Sequence, residues 1–598
     1  MTIYHRGLRP ACRSRLAGLL TSTAGCFAVF LCGSVPNGSA HAETAPGSSI
    51  VQHGVITPMH HEAMQQNSNN FGSRSVPSQD RGKTGFWNNT LLPTLDSRPE
   101  LYAQPQNLQR NVASPALLHQ GPWGIFNSNT GAAAGFGTVG YYAVSRWAED
   151  WSNLRDPKNR IDFLDPLKYI PFNNSGSVYL TLSANFRQHN FYDQHPFFGT
   201  NGLKHTLRTQ FRWNAGADLH LGEHLRLYGE LMSGQAGGTR YFGYNNGRWR
   251  SKLDAQQAFV EVHGKLFHAQ TGVMVGRMTF LDMPPYISAG SVYPTIPYSW
   301  NGIRGYAFWK NFRVDLFDLT MTNWTLQNVP FRDQVGYKTR LFGAYTSYAV
   351  PSFKFLGVKS QIFVDTFYLG YILANSNVYT GAGTQAGSTR RDTPGMRVWG
   401  NAGPLEFSAG WMWQGGYFHA ANNAYRRGVS AYAITSQVSW RFRKTWGKPA
   451  VGLQVDKFSG GNSQKSRTSD WGNFLNPFVP SAYYTDISTY TGNTNLIDVG
   501  PIATVTTSRN TSLLMKVHAM WRANTHDAVY SNPTGVYAAS PKVHGSYIGT
   551  APQASFTWRV TRHVTFSVDA MYFFLGSGMR DAGLKSGAYA QSNLELTL

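Results

Sequence analysis

Read two residues at a time, the stretch 206–231 (TLRTQFRWNAGADLHLGEHLRLYGEL) separates into two faces. Leu207, Thr209, Phe211 and Trp213 lie on one, and Thr206, Arg208, Gln210, Arg212 and Asn214 on the other. After a short turn at 220–223, Leu225, Leu227, Gly229 and Leu231 alternate with Arg226, Tyr228 and Glu230. Side chains of a strand alternate faces with a period of two, so this stretch predicts a hairpin with one apolar and one arginine-bearing face. A soluble sandwich would carry the same alternation with its apolar face packed inward. Recurrence of the pattern, and what precedes it, decides between the two.

The pattern recurs to the end of the chain. It predicts strands near 177–188, 206–217, 224–232, 255–263, 270–278, 302–309, 312–324, 340–350 and 359–371. It predicts as many again near 395–401, 405–415, 432–442, 449–458, 497–505, 511–522, 551–560, 564–575 and 588–598. Connections alternate in length: a tight turn at Ala402-Gly403-Pro404, a long loop at 417–429, and a short turn at 443–448. The longest loop, 459–496, is followed by another short turn near 508–511. An even strand number with short turns at one end and long loops at the other is the pattern of outer-membrane barrels. The expected fold is all-β: a transmembrane antiparallel β-barrel of about 18 strands with a polar N-terminal extension.

The N-terminus points to the same compartment. Arg6, Arg9, Arg13 and Arg15 precede an apolar run over 16–35, and Ala40-His41-Ala42 supplies the small residues that a signal peptidase reads. A signal peptide over 1–42 is expected, placing the protein in the outer membrane of a Gram-negative bacterium; a membrane anchor is the alternative. Thr23-Ala24-Gly25-Cys26 is a poor lipoprotein box, because it lacks the aliphatic first residue and the apolar run continues past it. Residues 43–146, polar and weakly patterned, are expected to form a flexible periplasmic extension, with a plug or docking segment as the sharper alternative. Residues 147–598 are expected to form the barrel.

Composition narrows the choice further. Cys12, Cys26 and Cys32 all lie in the leader, so no disulfide holds the mature chain. Beyond the leader no run approaches the roughly 18 apolar residues of a spanning helix. Only helices and closed barrels satisfy every backbone group in lipid. The 53 Lys and Arg against 31 Asp and Glu give a net charge of +22, of which the leader's four arginines supply four, leaving +18. A surplus of that size calls for an anionic partner: nucleic acid, anionic lipid or an acidic solute.

With the apolar face of each strand turned to lipid, the charges fall inside. Leu180, Leu182, Ala184 and Phe186 outward place Arg187 inward, and the opening hairpin does the same for Arg208, Arg212 and Arg226. By the same parity Arg397, Arg441, Lys516, His518, Arg522 and Arg559 face the interior, followed by Arg304 and Arg313. Arg277 stays ambiguous, since both faces of its strand carry apolar residues. An Arg facing mid-membrane lipid costs about 2–4 kcal/mol, so this many cannot sit there. Asp254, Asp315 and Asp456 are expected to pair with some of these arginines. Purely structural Arg–Asp packing is the competing reading.

Catalytic and metal signals are poor. His60-His61-Glu62 has no third ligand at metal-site spacing, and no phosphate-loop pattern precedes a helix. No cofactor and no catalytic role are expected.

Several stretches resemble the alginate-export family of outer-membrane barrels. They are 147–172 with its DPLKYIPF end, LRLYGEL at 225–231, LDAQQAFVEV at 253–262 and VGRMTF at 275–280. NPFVPSAYY at 476–484, NLIDVGP at 495–501 and WRANTHDAVY at 521–530 complete the series in the family's order. The resemblance implies an eighteen-stranded barrel whose basic lumen passes an acidic exopolysaccharide, as a monomer, with a possible periplasmic export scaffold. The last strand is of the kind that barrel assembly machinery reads, although it ends in Leu598 rather than the more usual Phe. Residues 43–146 have no counterpart in that resemblance, and the short turn at Arg562-His563 argues against a long periplasmic lid there. A porin for uptake of small anions and a barrel enzyme acting on lipid or polysaccharide are the rival readings. A plugged twenty-two-stranded receptor would need more residues per strand. A soluble nucleic-acid binder would leave the leader and the apolar stripes unexplained.

Overall fold

The structure, a computed structural model, describes residue 142 and residues 146–598, apart from 150, 161, 201, 240–248, 281–294, 310, 324–329, 332, 381–382, 422–423, 463–469, 476–484, 509–510, 532–535 and 538–541. The expected signal peptide, nearly all of the extension, His60-His61-Glu62 and the NPFVPSAYY stretch lie outside the described residues.

Eighteen long strands form the wall. The first six are β1 (Val178–Gln194), β2 (His205–Leu221), β3 (Leu225–Thr239), β4 (Ser251–Leu266), β5 (Ala269–Met278) and β6 (Trp300–Phe308). Then come β7 (Phe312–Asn323), β8 (Gln334–Ala349), β9 (Val358–Thr380), β10 (Gly383–Ala402), β11 (Leu405–Ala420) and β12 (Ala431–Arg441). The last six are β13 (Ala450–Phe458), β14 (Leu496–Val505), β15 (Thr511–Arg522), β16 (Tyr547–Arg559), β17 (Val564–Leu575) and β18 (Gly587–Thr597). Three short strands, Ile170–Pro171, Phe353–Phe355 and Arg426–Gly428, add to their edges. Each long strand pairs antiparallel with the next, and β18 returns to β1 with Phe186 opposite Leu596. No edge is left open, as a barrel in lipid requires.

The predicted strand order is the observed one, and the two-residue period explains the result. Along β1 every second residue is buried, from Tyr179 through Arg187 to Asp193. The other face carries large apolar side chains in the open, including Leu207, Phe211, Trp213, Trp411, Ile434, Val438 and Trp440. A face of this kind suits lipid rather than water. Among the described residues no helix is long and apolar enough to cross a membrane.

The two ends differ as expected. At one end the strands join through tight turns, such as the one at Gly403-Pro404. Gly403 there has φ +62°, and a Cβ would meet the Phe355 carbonyl at 2.9 Å. At the other end β9 and β10 are longer than the pattern suggests. They continue paired as far as Thr380 opposite Gly383. Thr393-Pro394-Gly395 interrupts the alternation in β10, which hides its upper half from a reading by period.

Candidate functional site

The inner face is where the strand period collects the chain's charges. Arg187, Arg208, Arg212, Arg226, Arg304, Arg313, Arg397, Arg522 and Arg559 are all buried, whereas Arg441 and Lys516 are partly so. Most of the ion pairs reach across neighbouring strands. Arg208 Nη2 lies 2.5 Å from Asp193, with its guanidinium 4.6 Å from the Phe191 ring centre. Arg226 meets Glu261 at 2.5 Å and Asp218 at 3.7 Å. Arg304 and Arg313 share Asp315, at 2.7 and 2.5 Å. Arg397 Nε donates to Asp365 at 2.9 Å, and Trp399 Nε1 donates to the same carboxylate at 2.7 Å. Arg441 meets Glu406 at 2.5 Å. Arg187 stands in register between Arg212 and Glu595. Arg522 donates at 3.0 Å to the carbonyls of Thr525, Asp527 and Val543, tying β15 to the loop that follows it.

The three acids proposed from sequence have different surroundings. Asp315 holds two arginines. Asp254 accepts from Ser251 and lies beside Asp333 and Arg277. Asp456 accepts from the Ser436 amide at 3.0 Å and Gln454 Nε2 at 2.7 Å, and it acts electrostatically on Lys516 together with Asp498. Asp498 in turn holds His518 Nδ1 at 2.6 Å. The acids that grip most arginines, Asp193, Asp218, Glu261, Asp365 and Glu406, were not singled out from sequence. Their parity is the available signal: Asp218 shares that of Arg208 and Arg212, but the predicted strand stopped one residue short of it.

Tyr142 and the described residues of 146–172 fold into the end that carries the tight turns. Trp147 is buried against Phe259, with its carbonyl accepting from Arg226 Nη1 at 3.0 Å. Arg304 also lies 5.9 Å from its ring centre. Behind it Lys168 meets Glu149 at 3.2 Å, and Trp151 Nε1 donates to the same carboxylate at 2.7 Å. Burial pushes the Lys168 ammonium below its usual range, with Glu149 opposing. Asp162 clasps the β16–β17 turn, 3.0 Å from His563 Nε2 and 3.4 Å from Arg562. Burial works to raise the Asp162 carboxyl, but the His563 hydrogen bond, the Leu164 amide and the Arg562 charge hold it below the usual carboxylate value. Tyr169 packs at a tilt against Tyr179, and Tyr179 stacks on His220, which fixes the segment to β1 and β2.

A second element crosses the interior nearer the long loops. It is drawn from the β13–β14 connection, whose residues 485–495 are all buried. On one side Tyr490 donates to Asp193 at 2.5 Å, and Gln553 Nε2 donates to the Thr485 carbonyl at 2.7 Å. On the other side Gln414 Nε2 donates to the Leu475 carbonyl at 2.6 Å, and Tyr371 Oη to the same carbonyl at 3.0 Å. β1 and β10 stand half the ring apart, so this connection touches opposite walls. Sequence reading identified it as the longest loop but gave no indication of its destination. Among the described residues no group of His, Cys, Asp and Glu is placed to hold a metal ion.

Comparison with known families gives one match: the profile described as "Alginate export" covers residues 178–593. Compared with the curated proteins, the sequence matches none. Among solved structures the chain is similar to a BenF-like porin from Pseudomonas fluorescens Pf-5. That similarity is at 9% identity and TM-score 0.44, over 70% of this chain and 99% of that one. It is also similar to OccAB1 of Acinetobacter baumannii (11%, TM-score 0.43, 72% and 98% covered). A third is OccK2 (OpdF) of Pseudomonas aeruginosa, a structure in complex with glucuronate (10%, TM-score 0.42, 70% and 96% covered).

Proposed function

The chain belongs to the alginate-export family and is an outer-membrane barrel of the channel type, and from that premise we propose that it passes an acidic, alginate-like polysaccharide through an arginine-lined lumen. The observation that carries this reading is the set of guanidiniums on the inner faces of β1 to β16. A uronate polymer presents one carboxylate after another, and Arg matches each in planar, two-point geometry. Five of these arginines, Arg208, Arg226, Arg304, Arg397 and Arg441, already pair with a carboxylate from a neighbouring strand. That weakens each contact with the polymer, which suits transport because the solute must leave as readily as it binds. In this reading flow is passive, and the chain enters the membrane through barrel assembly machinery after its leader is removed.

The test is planar-bilayer conductance of the purified protein under a salt gradient. The expected result is a reversal potential of anion preference, with current blocked by added polyuronate. Replacing Arg208, Arg212 and Arg522 together by Gln is expected to reduce that preference in a barrel that still folds. Unchanged selectivity in the folded triple variant would remove these residues from the conducting path. A porin for small anions draws support from the connection that crosses the interior, since a narrowed lumen passes small solutes more readily than a polymer. That alternative predicts the same anion preference without block by polyuronate.

A further inference from the structure

Arg391, on the inner face of β10, is a further buried arginine that the sequence reading did not single out. It is fully buried, at 0% exposure. Nη1 donates to Gln414 Oε1 at 3.1 Å and to the Asn473 carbonyl at 2.5 Å, both neutral acceptors. The guanidinium lies 4.3 Å from the centre of the Trp471 ring. Its Nε and Nη2 have no hydrogen-bond partner, and the two form the edge that grips a carboxylate at two points. Among the described residues no carboxylate meets it. A buried guanidinium without an opposing charge is a costly arrangement. Here the segment lying over it, Trp471 to Leu475, supplies only an aromatic face and a carbonyl.

We propose that Arg391 and Trp471 form a sugar-acid subsite that doubles as a latch. A uronate carboxylate takes the open Nε–Nη2 edge and displaces the Asn473 carbonyl, so that the segment 471–475 lifts from the wall. The sugar ring then lies on the Trp471 face that the guanidinium had covered. A carboxylate neutralises the cation where the carbonyl cannot, so the ligand favours the lifted arrangement by its differential interaction with the two states. Lifting also breaks the Asn473 Nδ2 bond to Asp527 at 2.7 Å and the Trp471 amide bond to the Gly428 carbonyl at 2.8 Å. Gln414 and Tyr371 hold the Leu475 carbonyl through neutral hydrogen bonds, each of modest net strength. Neutral sugars have nothing to offer the guanidinium, so the latch distinguishes the acidic saccharide from its uncharged counterpart. This inference rests on the proposed passage of a uronate and adds the residue at which the solute acts on the barrel.

The experiment uses a cysteine as a reporter at Leu475, which is buried in the docked segment. The native cysteines all precede residue 33, outside the barrel, and peptide mass spectrometry separates them from the new site. In the full chain carrying Leu475→Cys, alkylation at 475 is expected to be slow and to accelerate about tenfold with sodium glucuronate, against an equal ionic strength of chloride. Glucose is expected to leave the rate unchanged. With Arg391→Gln added, the rate is expected not to respond to glucuronate. Arg391→Lys, which keeps the charge but not the two-point edge, should respond more weakly than the parent. Heat-modifiable gel migration establishes that each variant is a folded barrel. A glucuronate response that persists in Arg391→Gln overturns the proposal. So does a flat response in the parent when the bilayer measurement shows anion preference and polyuronate block. Absence of that preference and block instead overturns the reading on which the latch rests.

Discussion

At the scale of single residues, the buried arginines differ by what answers them. Asp315 answers two, so Asp315→Asn removes the carboxylate that Arg304 and Arg313 share. Breaking a buried pair costs about 3–5 kcal/mol. The variant is expected to unfold in detergent at clearly lower temperature than the parent. The contrasting change is Asp318→Asn. Its pairing with Arg340 is exposed, and such pairs contribute about 0–1 kcal/mol. Equal destabilisation by the two would contradict the assignment of Asp315 to the inner face. The parity rule made the arginines legible because an apolar lipid face leaves only one side for charge. It did not identify Arg391, since Pro394 and Gly395 break the pattern three residues on. Nor did it identify Asp193 and Asp365, because parity says which face a residue takes but not which side chain stands opposite.

At the scale of elements, the segment 142–172 is held by side-chain contacts rather than by sheet. Among its described residues the one strand is Ile170–Pro171, two residues long, pairing with β1. Its clasp at the β16–β17 turn carries a pH dependence of its own. The Asp162 carboxyl titrates below its unfolded value of about 3.8, so its contribution is complete above that pH and is lost as pH falls through the depressed value. Hydrogen exchange across 146–169 is expected to stay slow from neutral pH to about 4 and to accelerate below it. Asp162→Asn should make exchange faster at neutral pH and remove the acid transition. The DPLKYIPF stretch could be placed at the barrel's start from sequence. Its inward path could not, because the buried group that sets it joins Glu149 and Trp151 to Lys168, 19 residues after Glu149, with no period between them.

At the scale of the whole molecule, the architecture was the most legible feature. Strand period and the short–long rhythm of connections both follow from closing a sheet in lipid, where every strand must satisfy both its edges. What no local pattern encodes is how far a strand rises above the membrane or which loop turns inward. β9 and β10 illustrate the first and the β13–β14 connection the second. Closure itself gives a further prediction. β18 supplies the bonds that join β17 to β1, with Asp569 opposite Gln591 and Phe191 opposite Gln591 on its two sides. A chain truncated before Gln591 is expected to leave two open edges and to yield no heat-modifiable species on a gel. A truncated chain that still migrates as a folded barrel would mean that β1 and β17 pair directly.

The segment at the tight-turn end and the connection near the long loops stand one after the other along the same axis. Their resistances therefore add, and flux is set by the larger. Loosening either alone raises current only to the ceiling imposed by its neighbour, whereas loosening both together yields more than the sum of the separate gains.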